Sequence, residues 1–320
     1  MEGVSFSQCV VFGDEILILG GNDRGSCYSY HTIKKGYRFI TLYPERAATQ
    51  GHIVVRYDKI LHNQLNPESE NGLEMVLLSI GGKREIRPSH TLVMKYHSVW
   101  DDTNTKINAN TNEWVSLTEE KTNELIKFKE YLASARGCLS GKNGNLLIVS
   151  VNKTIDVINL DTCQYLSTIS NLPRYFFWHC MIPLPHDNDI NINHFFFILL
   201  DCCLLVKYDE SNNVVEHEEL PVITSLSTFL GYGYVRIDDR IVLVGGTTSL
   251  SDIRGNDVYI FSLKDRTWMK SEYPLSLELA GCCLVSTNNS TISIIGGQYK
   301  SLENQPVHYT IDTDLLLSQE

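Results

Sequence analysis

Four times along this chain an apolar run ends in a pair of glycines: ILILGG at Gly20-Gly21, LLSIGG at Gly81-Gly82, IVLVGG at Gly245-Gly246 and ISIIGG at Gly296-Gly297. Chance supplies fewer such pairs and gives no reason for them to follow apolar runs. A near-continuous run of β-forming residues indicates a strand buried on both faces. Two glycines directly after it permit positive φ and a close approach of neighbouring backbone that a Cβ would block. The chain therefore needs internal strands that leave a crowded site, and it needs them repeatedly.

A second apolar strand precedes each pair: QCVVF from Gln8, GHIVV from Gly51, GYGYV from Gly231 and GCCLV from Gly281. Two further copies, from Gly137 and from His179, keep the two strands but have Ser150-Val151 and Leu200-Asp201 where the glycines would stand. Alignment of the six copies places Cys9, Ile53, Cys138, Cys180, Gly233 and Cys282 in one column. Small residues suit that column if six copies converge on a common axis, where large side chains would collide. The outer half of the unit recurs as well. DVYIFSLKDRTWMK from Asp257 parallels CYSYHTIKKGYRFI from Cys27, IDVINLDTCQYLS from Ile155 and LLVKYDESNNVVE from Leu204. Each reads as strand, polar turn, strand. Trp268, Trp114, Tyr165 and Phe39 fall on the outermost strands, where a large ring can wedge between sheets.

The unit is four antiparallel strands, repeated six times. The column members recur about every 55 residues on average, which suits a propeller blade of the kelch type. In ILILGG…CYSYHTI, LLSIGG…HTLVMKY and IVLVGG…DVYIFSLKDRTW the chain resembles the kelch-repeat, galactose oxidase-like β-propellers. The resemblance covers nearly the whole chain and weakens in the third and fourth copies. It implies an all-β, six-bladed propeller spanning residues 1–320 as a single domain. A WD-repeat reading fails, because the one Trp-Asp pair, Trp100-Asp101, has no Gly-His partner.

Two places strain the pattern. The step from Ile53 to Cys138 is overlong: a polar loop, LHNQLNPESENGLE, accounts for part of it, and an insertion at about 101–136 between the second and third blades accounts for the rest. Within that insertion Leu125, Phe128 and Leu132 recur at helical spacing and predict a short helix. The sixth copy ends in DTDLLLSQE, so its outermost strand is expected as a stub at Leu315–Leu317 or is absent, leaving that blade incompletely closed.

Composition narrows the function. A net charge of −11 disfavours nucleic acid, which requires a concentrated basic face. The most apolar stretch, Phe195 to Val206, is too short to span a bilayer and is broken by Asp201, so no membrane role is expected. Nine cysteines without a Cys-x-x-Cys, together with an N-terminus lacking a secretory pattern, predict reduced thiols and a cytoplasmic protein. No phosphate-binding, zinc-protease or nucleophile-elbow motif occurs. His52 and His179 precede the small-residue column, where the family's copper oxidase places ligands. The matching Tyr, Cys and His set cannot be assembled residue by residue. The expectation is a non-enzyme without metal or cofactor, a copper oxidase-type propeller being the alternative.

The loops after the glycine pairs carry Arg24, Lys83, Arg84, Arg87, Arg254 and Lys300 against Asp23, Glu85, Asp252 and Glu303, a basic excess in an acidic chain. Many kelch propellers bind peptides with this face, and the resemblance implies the same use here. Arg24, Arg84, Arg87, Arg254 and Tyr299 are the residues expected to grip an acidic peptide or protein surface. The chain is thus expected to be a monomeric protein-interaction module. A structural protein that self-associates through an open blade edge is the other alternative.

Overall fold

The computed structural model describes residues 1–21, 24–58, 74–82, 89–102, 111–118, 124–126, 128–129, 132, 134–170, 172–186, 189–248, 253–287, 290–299 and 303–317. Their strands form six successive antiparallel sheets, the blades of a six-bladed β-propeller. The first three are β1 (Gln8–Phe12), β2 (Glu15–Leu19), β3 (Ser26–His31) and β4 (Gly36–Leu42); β5 (His52–Arg56), β6 (Glu74–Gly81), β7 (His90–His97) and β8 (Val115–Ser116); and β9 (Arg136–Ser140), β10 (Leu146–Val151), β11 (Thr154–Asn159) and β12 (Gln164–Ile169). The fourth is β13 (Cys180–Leu184), β14 (Ile192–Ile198), β15 (Cys202–Asp209) and β16 (Val214–Pro221). A two-stranded ribbon, β17 (Phe229–Leu230) with β20 (Thr247–Thr248), accompanies the fifth, which is β18 (Gly233–Ile237), β19 (Arg240–Val244), β21 (Val258–Ser262) and β22 (Thr267–Lys270). The sixth has β23 (Cys283–Ser286), β24 (Thr291–Ile295) and β25 (His308–Asp312), followed by α1 (Thr313–Leu317).

The contacts divide the chain into two compact units. One holds Gln8–Ser170, and the other holds Glu2–Ser7 with Asn171–Glu320. In the first unit β6 shows why the apolar runs are continuous. Met75 and Leu77 pack with Leu17, Leu19 and Tyr96, while Val76, Leu78 and Ile80 pack with Leu147, Val149 and Ile158. Successive side chains point to opposite faces, and both faces meet another blade. The fourth strands differ: β12 alternates exposed and half-buried residues, as a rim strand should. A buried carboxylate joins the first two blades. Glu15 accepts hydrogen bonds from Ser29 Oγ and Tyr96 Oη, each at 2.5 Å, and from Ser98 Oγ.

The crowding inferred from sequence is present. All eight glycines of the four pairs have positive φ, and a Cβ on Gly245 would lie 2.1 Å from the Leu279 carbonyl oxygen. The first strands of neighbouring blades abut, β5 against β1 and β9 in one unit, β18 against β13 and β23 in the other. Members of the small-residue column meet across those contacts: a Cβ on Gly233 would lie 2.6 Å from Cys282 Sγ. The nine cysteines form no disulfide.

Three expectations change. The described residues between Leu125 and Leu132 are not helical. Leu125 bridges Thr118 and is 54% exposed, whereas Phe128 and Leu132 are buried in the cluster shared by β5, β6, β9 and β10. Its described residues strap onto the third blade, with Lys129 Nζ 2.6 Å from the buried Asp156 carboxylate and 3.1 Å from Thr168 Oγ1. Phe39 is 53% exposed, whereas Trp114 stacks on Tyr43 and Trp268 packs on Phe261. Residues 315–317 are not a strand stub; they belong to α1, which buries Leu316. The loop at 59–73 lies outside the described residues.

Candidate interaction surface

The second unit begins with a connection, LPRYFFWH from Leu172 to His179, that delivers four successive aromatic residues to the first strand of the fourth blade. They cannot all point inward. Phe176 is buried, its ring 5.0 Å from Phe197 and 4.9 Å from His179. Its neighbours point outward: Tyr175 is 69% exposed and Phe177 is 60% exposed. Trp178 is half-buried, 6.2 Å from Phe177 on one side and 4.4 Å from Phe6 on the other. Arg174 fixes the start of the ridge through ion pairs to Asp201 (3.4 Å) and Glu219 (3.2 Å). The Cys202 thiol, followed by these two carboxylates, holds the guanidinium pKa above its ordinary value.

Phe6 belongs to the same unit. Its amide donates to the Gly281 carbonyl at 2.7 Å, and Gly297 N donates to the Val4 carbonyl at 2.7 Å. A Cβ on Gly281 would stand 2.7 Å from the Phe6 ring, so glycine at this position makes the seat. Ser5 Oγ donates to Asn304 Oδ1 at 2.7 Å. The aromatic ridge is thus backed by an ordered strap and a buried anchor. Outward aromatic rings held in place by their neighbours are the usual content of a binding hot spot.

The residues selected from sequence are distributed differently. Arg24 is exposed on its turn in the first unit. Arg84 and Arg87 lie outside the described residues. Arg254 is only 4% exposed and bridges Thr247 beside the ribbon of the fifth blade, so its guanidinium does not stand on the surface as expected. Tyr299 is half-buried, and its amide donates to the Glu303 carbonyl at 3.2 Å. Burial takes Arg254 because the residue itself pairs with Thr247 in an antiparallel bridge, which a count of loop charges cannot reveal. The ridge at Tyr175–Trp178 was missed, although its signal was legible: four successive aromatic residues in a connection cannot all be buried, and Tyr175 and Phe177 face out on either side of buried Phe176.

His52 and His90 form a buried pair in the first unit. His52 is fully buried, its ring 6.0 Å from His90 and 5.5 Å from Tyr43. His90 Nε2 lies 2.7 Å from Ser79 Oγ, which also accepts from Tyr43 Oη at 3.0 Å. Burial, then the neighbouring His90, drives the His52 pKa well below its ordinary value; burial lowers His90 to about 4. His179 is buried beneath the ridge. Among the described residues no group of three or more His, Cys, Asp or Glu is placed to hold a metal ion, and no helix is long and apolar enough to cross a membrane.

The solved structure of YjhT is similar to this chain, with a TM-score of 0.64 and 14% sequence identity over 97% of this chain and 95% of that one. At that identity the likeness concerns the fold. No protein-family model and no curated protein matches the sequence.

Proposed function

We propose that this propeller is a kelch-like protein-interaction module that holds a protein partner on the aromatic ridge of its second unit. The observation that carries the reading is the outward pair Tyr175 and Phe177, anchored by buried Phe176 between them. Large rings kept in water at an ordered position cost solvation that a partner's apolar surface would recover. The four glycine pairs and their positive φ values support the kelch likeness. The acidic-peptide version of the reading now leans on Arg24, since Arg254 is buried.

The test is quantitative affinity capture with the wild-type chain and a Tyr175→Ser/Phe177→Ser double variant, with thermal melts of both. Hot-spot aromatics contribute about 2 kcal/mol each or more, so capture of a specific partner should fall at least about 30-fold while the melting temperature holds. Equal capture by both proteins removes the ridge from the binding surface. An Arg24→Glu chain tested alongside reports separately on an acidic partner.

A further inference from the structure

Between the first strands of the fourth and fifth blades lies a pocket of about 400 Å³, walled on one side by Met181, Ile182 and Pro183 of β13. β18 supplies Tyr234, Val235 and Arg236 to the other side, and the turn after it supplies Asp238. A pocket of this size with largely apolar walls suits a small organic ligand, whose orientation is set by a few polar groups. Here the decisive group is Arg236. Strand alternation fixes its direction. Tyr234 packs against the apolar cluster of the fourth and fifth blades, which Ile182 enters from β13, and Arg236 lies two places further along the same face of β18. Its side chain therefore projects toward β13.

Arg236 Nε donates to the Asp238 carbonyl at 2.7 Å, which steadies the guanidinium by one nitrogen and leaves both Nη groups uncommitted. Elsewhere the chain neutralises such groups: Arg38, Arg56, Arg174, Arg240 and Arg266 each sit against a carboxylate. Among the described residues no carboxylate pairs with Arg236, and Asp239 beside it is engaged by Arg240 at 3.7 Å. In a chain of net charge −11, an arginine steadied inside a pocket without a counter-ion is fitted to an external anion. We propose that this pocket binds a small monocarboxylate with an apolar body. The carboxylate matches the fork of two Nη groups through two parallel hydrogen bonds, and the apolar body rests on Met181, Ile182 and Val235. The single charge follows from the setting: one arginine serves the anion, and the exposed Asp238 beside it repels a doubly charged phosphate. The site is separate from the aromatic ridge. The ridge enters β13 at Cys180, whereas Pro183 lies near the far end of that strand; β18 likewise starts opposite Val244, just before a glycine pair, and ends at the turn that holds Asp238.

Isothermal titration with hexanoate and benzoate tests it, with hexanol, hexylamine and inorganic phosphate as controls and Arg236→Gln and Arg240→Gln alongside. The wild type should bind at least one of the two carboxylates saturably, and the methyl NMR signals of Met181, Ile182 and Val235 should move with the same concentration dependence. Arg236→Gln removes hydrogen bonds to a charged group, so its affinity should fall at least about 10-fold. Arg240→Gln, whose guanidinium is already paired with Asp239, should bind as the wild type does. If Arg236→Gln fails to fold, as read by circular dichroism, Arg236→Lys decides: it keeps the charge, loses the fork and should bind several-fold more weakly. No saturable binding of either carboxylate overturns the proposal. Equal binding of hexanol or phosphate overturns it too, as does full affinity without Arg236 or a loss that Arg240→Gln shares. The readout is independent of Tyr175 and Phe177, so the pocket and the ridge stand or fall separately.

Discussion

His52 and His90 illustrate how a propeller accommodates polar side chains among close-packed first strands. Both are neutral in the fold because burial disfavours the imidazolium. His90 faces Tyr43 and Ser79, and His52 faces His90, Tyr43 and the Thr49 backbone, with Arg136 adding like charge. The folded pKa values lie below the ordinary histidine value of 6.5, so the unfolded chain takes up protons first as the pH falls. Stability is therefore complete above about pH 6.5 and is lost progressively down to about 4, where folded His90 itself protonates. For His90 the loss over that window is on the order of 3 kcal/mol. Denaturant midpoints measured near neutral pH and near pH 5 should differ substantially for the wild type. A His90→Gln chain should show a smaller difference, whatever its stability at neutral pH. A pH dependence unchanged by that substitution would mean that other groups carry it.

The strap from Leu125 to Leu132 shows where periodicity misleads. Leu125, Phe128 and Leu132 have helical spacing, but only the last two are buried. Phe128 sits against Tyr165 at 6.2 Å within the cluster of the second and third blades. Phe128→Ala should destabilise the protein by about 3 kcal/mol, within the range for burying and then deleting a phenyl ring, whereas Leu125→Ala should cost under about 0.5 kcal/mol. A helix with all three residues on one face would have made the two substitutions comparable, and urea titrations distinguish the cases. The contrast explains what was legible in the sequence. ILILGG and its copies could be read because a doubly buried strand and the glycine pair after it are local demands, stated in adjacent residues. The strap, the buried Arg254 and the α1 ending of the sixth blade depend on what folds back against them. No local pattern encodes that. The aromatic ridge lies between these cases: Tyr175, Phe176, Phe177 and Trp178 were in plain view, but their meaning required knowing which ring is buried, and that ring is Phe176.

At the scale of the molecule, the formal charge of −11 acts on whatever approaches the ridge. It sums over charges spread along the whole chain and is felt in full when the Debye length is about 30 Å, at 0.01 M salt; at 0.1 M that length is about 10 Å and most of the field is screened. Tyr175 and Phe177 offer something else, exposed apolar rings whose contacts are short in range and are not weakened by screening. Capture of a partner on the ridge should therefore survive the change from about 0.01 M to about 0.1 M salt, and titrations at the two ionic strengths should return dissociation constants within a few-fold of each other. An interface built on complementary charged patches would weaken over the same interval. A large loss of affinity on adding salt would thus point away from the ridge and toward a charged contact elsewhere, such as the turn that carries Arg24.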